Sequence, residues 1–82
     1  MKVFIIKEKN KEKKFKNLLK AINYAVRKSE RFWHKEFSVD CKYNGHNEWF
    51  DDNSGLVLRL YFDSSKYGID GCFEDIHVYE II

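Results

Sequence analysis

The chain of 82 residues has no proline, four glycines, two cysteines and one methionine. Without proline there is no polyproline segment and no rigid linker, and no Ser/Gly tract replaces one. The glycines stand singly at 45, 55, 68 and 71, in turn-like surroundings, so no glycine-rich loop is available to cradle a phosphate. Cys41 and Cys72 occur in no Cys-x-x-Cys spacing, which removes a zinc quartet and a redox motif. They read instead as small packed apolar residues, reduced in a cytoplasmic protein. Apolar runs are short as well. Val3–Ile6 is four residues long against the roughly 20 that span a bilayer, and no small-residue cleavage site follows it. Neither a membrane span nor a signal peptide is expected. His34, His46 and His77 are scattered and lack metal-site companions, and neither cysteine sits in a reactive-thiol motif. The reading is a non-enzymatic chain with no metal and no cofactor.

What the sequence does have is a division of charge. Residues 1–35 hold twelve Lys/Arg against three Glu, whereas residues 36–82 hold three Lys/Arg against ten Asp/Glu. The formal net charge of +2 therefore conceals a basic end and an acidic end, a layout that points to charged partners. Aromatic residues make up 17% of the chain. Each can bury about 150–250 Å², enough for residues 1–82 to form a single domain without staples. A chain this short has little room for an enclosed substrate cavity.

Val3–Ile6 is apolar on both faces and reads as a strand internal to a sheet. From about Lys11 to Lys35 the period changes. Phe15, Leu18, Leu19, Ile22, Ala25, Val26, Ser29 and Phe32/Trp33 recur at helical spacing. Asn10 stands as N-cap and Glu12–Lys16 as an i,i+4 pair. Such a helix would be roughly 37 Å long against a seven-residue strand of about 23 Å, so it either frays early or overhangs its sheet. After residue 35 the period becomes two. Phe37, Val39, Cys41 and Tyr43 alternate with polar residues, Asn44-Gly45 is a hairpin signal, and His46–Asp51 can return as a further strand. Residues 51–55 and 63–71 read as loops around an alternating strand at 56–62, and a last strand covers about Phe73–Ile82. The expectation is an α+β domain, ordered β-α-β-β-β(-β). One long amphipathic helix would cover one face of a mainly antiparallel sheet of four or five strands.

Two surfaces carry functional readings. In the first, Glu48, Asp51, Asp52, Asp63, Asp70, Glu74 and Asp75 lie in or beside the loops with Trp49, Phe50 and Tyr67 interleaved. Exposed carboxylates around aromatic anchors suit docking into a basic groove, the charges steering encounter and the rings supplying hot-spot energy. The partner would be a larger protein, itself nucleic-acid-binding, and this chain its inhibitor or regulator. The alternative surface is the helix face bearing Lys13, Lys16, Lys20, Tyr24, Arg27 and Arg31, which would grip DNA or RNA directly. Self-assembly of basic helix on acidic loop, giving a homo-oligomer, is a third arrangement. Asp63-x-Ser65-x-Tyr67-Gly68-x5-Glu74 matches some positions of a calcium loop, but strands rather than helices flank it. An outer sheet face with Lys42, Arg59, Tyr61, His77 and Tyr79 has stacking chemistry, without the motifs of RNA-recognition domains.

In profile rather than in any motif, this small, Lys-rich, single-domain chain without catalytic apparatus resembles phage- or mobile-element-encoded antagonists of host defence such as anti-CRISPR proteins. That resemblance implies an inhibitor that occupies a nucleic-acid groove.

Overall fold

Alternation along residues 56–62 sets the middle of the fold, because Leu56, Leu58, Leu60 and Phe62 must all find cover on one side. In the computed structural model, which describes residues 1–53 and 55–80, that cover is a single helix. Its elements are β1 (Lys2–Lys7), β2 (Glu12–Phe15), α1 (Leu18–Phe37), β3 (Cys41–Asp52), β4 (Gly55–Ser64) and β5 (Gly68–Glu80). They build one antiparallel sheet of order β2-β1-β5-β4-β3 with α1 packed on one face. The chain lays down the β1–β2 hairpin, crosses the sheet as α1, and returns from the opposite edge as the β3–β4–β5 meander until β5 pairs with β1. The antiparallel α+β layout expected from periodicity is thus the observed one, with β1 internal.

The helix begins later than its Lys-rich approach implied. Asn17, not Asn10, is the N-cap, its side-chain oxygen accepting the Lys20 N–H at 3.0 Å. Residues 12–15 form an edge strand instead of the first turn, so Glu12 and Lys16 do not make a helical i,i+4 pair. A tight turn precedes that strand, with backbone bonds exchanged between Glu8 and Lys11. Periodicity missed β2 because three of its four residues are Glu12, Lys13 and Lys14, and only Phe15 packs on the core. Lysine on an edge strand repels further pairing, so the sequence that hides this strand also protects it. At the other end Ser38 takes a left-handed φ of 53°, its N–H bonding to His34 O, while the Val39 N–H reaches Trp33 O at 3.2 Å. This is a Schellman-type stop. Twenty helical residues span about 30 Å, and the thirteen of β5 about 44 Å. Of the two alternatives, fraying or overhang, the overhang does not arise, because the helix is shorter than residues 11–35 and the strand longer than seven residues.

Asn44-Gly45 makes no hairpin. Pairing passes from Tyr43–Phe62 to Asn47–Leu60, four residues on β3 against two on β4, so two extra residues form a bulge inside one continuous strand. Gly45 supplies its φ of 83°, and the Asn44 side chain accepts the His46 N–H at 2.8 Å. An insertion of two preserves which face each side chain takes. Asp51 and Asp52 belong to β3 rather than to a loop, and Asp63 and Gly68–Gly71 likewise belong to β4 and β5. The assignments at residues 54, 81 and 82 lie outside the described residues.

Under the helix, Phe62, Leu58, Leu60, Ile6 and Ile76 are almost fully buried, each worth about 1.5–3 kcal/mol relative to exposure. The helix meets them with Ala21, Ala25 and Ser29, whose small side chains bring its axis close to the sheet. Leu19 and Phe32, expected on that stripe, are 65% and 49% exposed. Ala21 takes the place assigned to Leu19, because the true stripe steps 18, 21, 22, 25, 29.

Candidate functional site

The sheet gathers the acidic half of the sequence but does not gather it into one patch. Asp51 pairs with Leu56 and Asp63 with Lys42, seven residues apart along β4 and thus about 24 Å apart. Glu74 and Asp75 are adjacent on β5 and face opposite sides. Most of these carboxylates are bound within the chain. Glu74, on the helix side, accepts from Lys28 Nζ and from the buried Ser29 Oγ, both at 2.8 Å. Asp75, on the outer side, holds Arg59 in a bidentate pair at 2.8 and 3.0 Å. The Arg59 guanidinium lies 4.7 Å from the Phe50 ring centroid and 3.9 Å from that of Phe73. Stacking of this kind adds about 0.5–2 kcal/mol, and Asp75 raises the Arg59 pKa further.

The bulge in β3 creates a second knot on the outer face. It lays the His46 ring on Tyr61 at a centroid distance of 4.8 Å. His46 Nδ1 faces Asp70 at 2.9 Å and Nε2 faces Glu48 at 3.3 Å. Hydrogen bonding to Asp70 in the first place, and the charge of Glu48, hold the imidazole pKa above its ordinary value. Asn44 and His46 lower that of Asp70. Tyr61 donates to Glu48 at 3.0 Å, and desolvation leads the causes that raise its own pKa. Asn44 Nδ2 also donates to both Asp63 and Asp70. Of the proposed acidic anchors, Glu48, Asp63, Asp70, Glu74 and Asp75 therefore have partners inside the chain. Trp49 is 50% exposed on the helix-bearing side near the β3–β4 turn, and Asp51 beside it is exposed. Phe50 is half-buried against Arg59. Tyr67 sits at the opposite end, 6.2 Å from Trp33.

The basic surface is the reverse case. Lys20, Tyr24, Arg27, Arg31 and Lys35 fall on one helix face at steps of three, four and seven, over about 22 Å of rise. Among the described residues none of those four cations makes an ion pair, nor does Lys16. Lys13 comes from β2 and lies 5.7 Å from the Tyr24 ring. The Tyr24 hydroxyl donates to Glu8, which raises the tyrosine pKa and lowers that of Glu8. A depression of about 400 Å³ runs along this flank between Tyr24 and Glu36. It adjoins another of about 490 Å³ lined by Lys7, Glu8, Lys9 and Glu74, and Lys28 and Phe32 belong to both. The sequence signal for this groove was the run of basic residues at helical spacing. Lys7 and Lys9 were not read as part of the site, because only folding sets them against the helix; Phe32 was read as part of the apolar stripe, and Lys28 and Lys35 were left off the basic face.

Neither cysteine is placed for chemistry. Both are free and buried, and burial pushes the Cys41 thiol up to about 11 and raises that of Cys72. Among the described residues no group of His, Cys, Asp and Glu is arranged to hold a metal ion. No helix there is long and apolar enough to cross a membrane. No family model, curated protein or solved structure matches the chain.

Proposed function

We propose that this chain is a non-catalytic binding protein whose working surface is the basic flank of α1 and whose ligand is a polyanion of the nucleic-acid class. One observation carries the reading: Lys20, Arg27, Arg31 and Lys35 share a face with no ion pair among the described residues, whereas most carboxylates of the sheet are already bound within the fold. Cations left unpaired along about 22 Å of helix repel one another, a cost that a run of phosphates removes while releasing counterions. Neutral Tyr24 between them offers a ring to the ligand. A nucleic-acid ligand implies a cytoplasmic location. Anisotropy titration of a labelled oligonucleotide at two salt concentrations tests the reading. Binding that weakens steeply with salt is expected, and no binding at low salt overturns it.

Trp49 supports a second reading, since a half-exposed Trp beside the exposed Asp51 is a recognised form of protein anchor. In that reading the β3–β4 end docks on a basic groove of a larger nucleic-acid-binding protein and inhibits it, as the anti-defence profile implies. Asp51→Lys with Asp52→Lys then slows association with that partner, and an unchanged association rate removes the reading.

A further inference from the structure

Resting on the nucleic-acid reading, we infer that the basic flank selects single strands over duplexes, with Phe32 as a platform on which an unpaired base stacks. Phe32 is 49% exposed and is the one aromatic ring shared by both depressions of the flank, whose cations Lys28, Arg31 and Lys35 on the helix, Lys7 at the end of β1 and Lys9 on the following turn outnumber the carboxylates Glu8, Glu36 and Glu74 that also line them. It does not stand alone. Its ring meets Trp33 at 6.1 Å and Phe37 at 5.8 Å, both edge to face, and Trp33 meets Tyr67 at 6.2 Å. Phe37 and Tyr67 are 54% and 50% exposed. Folding alone does not select this arrangement. The hydrophobic stripe of α1 runs through Ala21, Ala25 and Ser29, and Phe32 points away from it towards the unpaired cations.

Charge complementarity names the occupant. A purely apolar partner would have to bury Arg31 and Lys35 unpaired, which is costly. A duplex satisfies the cations but keeps its bases stacked on one another, leaving the exposed rings with nothing to cover them. A single strand supplies phosphates for the cations and free π-faces for the rings, the combination used by sequence-tolerant single-strand binders. Ring-edge contacts within the cluster hold Phe32 in place before the ligand arrives, so little side-chain freedom is lost on binding.

The test uses the full chain with three probes: a fluorescein-labelled mixed-sequence 20-mer, the same sequence as a duplex, whose roughly doubled charge favours it on electrostatics alone, and inorganic polyphosphate as competitor. The single strand is expected to bind more tightly than the duplex. Phe32→Ala and Phe32→Leu are both expected to weaken single-strand binding by at least about fivefold and to leave polyphosphate competition unchanged. The Leu variant keeps the apolar bulk, so a loss shared by both substitutions reports the ring and not the packing. Equal affinity for both strand forms with no effect of Phe32→Ala overturns the single-strand inference and leaves the polyanion reading standing. Failure of all three probes to bind at low salt overturns that reading and the inference with it.

Discussion

Two halves of one small sheet-and-helix domain treat charge in opposite ways. On the sheet, opposite charges meet across strands: Arg59 lies between Glu48 on β3 and Asp75 on β5 in the ladder, and His46 between Glu48 and Asp70. On the outer flank of α1, Lys20, Arg27, Arg31 and Lys35 have no such neighbours among the described residues. The reason is geometric. Strand pairing brings residues distant in sequence to about 5 Å separation and can match their signs, whereas a helix face opposes only itself at i+3 and i+4. There this sequence offers mainly basic residues and Tyr24, and Glu30, at i+3 from Arg27, instead accepts the Tyr43 N–H of β3. Charge that a fold uses internally contributes to stability. Charge that it leaves open is available to something else.

The largest expected effect comes from reversing the open charges. Arg27→Glu with Arg31→Glu is expected to lower oligonucleotide affinity by more than about 100-fold at low salt and to reduce the salt slope by roughly two. The melting temperature should change little, because both side chains are exposed. An equal loss from Asp51→Lys with Asp52→Lys would break the comparison, since added cations there should leave or raise affinity for a polyanion.

Next is the ion-paired tie between helix and sheet at Glu74. Glu74→Ala leaves Lys28 and Ser29 Oγ without their acceptor under the helix. The expected loss is about 1–3 kcal/mol, read from the urea midpoint, with oligonucleotide affinity unchanged or slightly increased as Lys28 is freed. Unchanged stability would mean that the sheet does not depend on its carboxylates.

A smaller effect locates the start of the helix. Asn17→Ala is expected to cost about 1 kcal/mol through the lost cap, and Asn10→Ala much less, by denaturant titration of both variants. The reverse ranking would return Lys13 and Lys16 to the helix face and extend the open stripe.

The smallest is a pH effect at the β3 bulge. The His46 pKa stands above its ordinary 6.5. Its contribution is therefore fully present below about 6.5 and lost as pH rises through the raised folded value. The Asp70 pKa stands below its ordinary 3.8, so its contribution is present above that value and lost as pH falls through the lowered one. The cluster stabilises most between those limits. Melting temperature should decline from mildly acidic to mildly alkaline pH, and the decline should shrink in His46→Gln. An undiminished decline in that variant would assign the effect to another group.

Legibility in the sequence followed the strength of local pattern. The strand at residues 56–62, the internal strand at 3–6 and the helix from Leu18 onwards were readable because burial imposes a period on each. β2 was not, since an edge strand with one buried residue, Phe15, has no period to read. The Asn44-Gly45 pair misled because its φ > 0 preference serves a bulge as well as a hairpin, and only the partner register distinguishes them. The acidic residues were expected to be exposed beside aromatic rings, yet Asp70, Glu74 and Asp75 are half-buried. Their mutual distance, and the donors that occupy five of them, depended on contacts far along the chain.

By itself, then, the sequence determined a helix, its strands and a chain basic at one end and acidic at the other, because period and composition are local properties. Tertiary structure decided which of those charges remain open. Lys28 meets Glu74 across 46 residues and Arg59 meets Asp75 across 16. Register and helix placement set those separations, and a separation of about 3 Å is what turns two opposite charges into a pair.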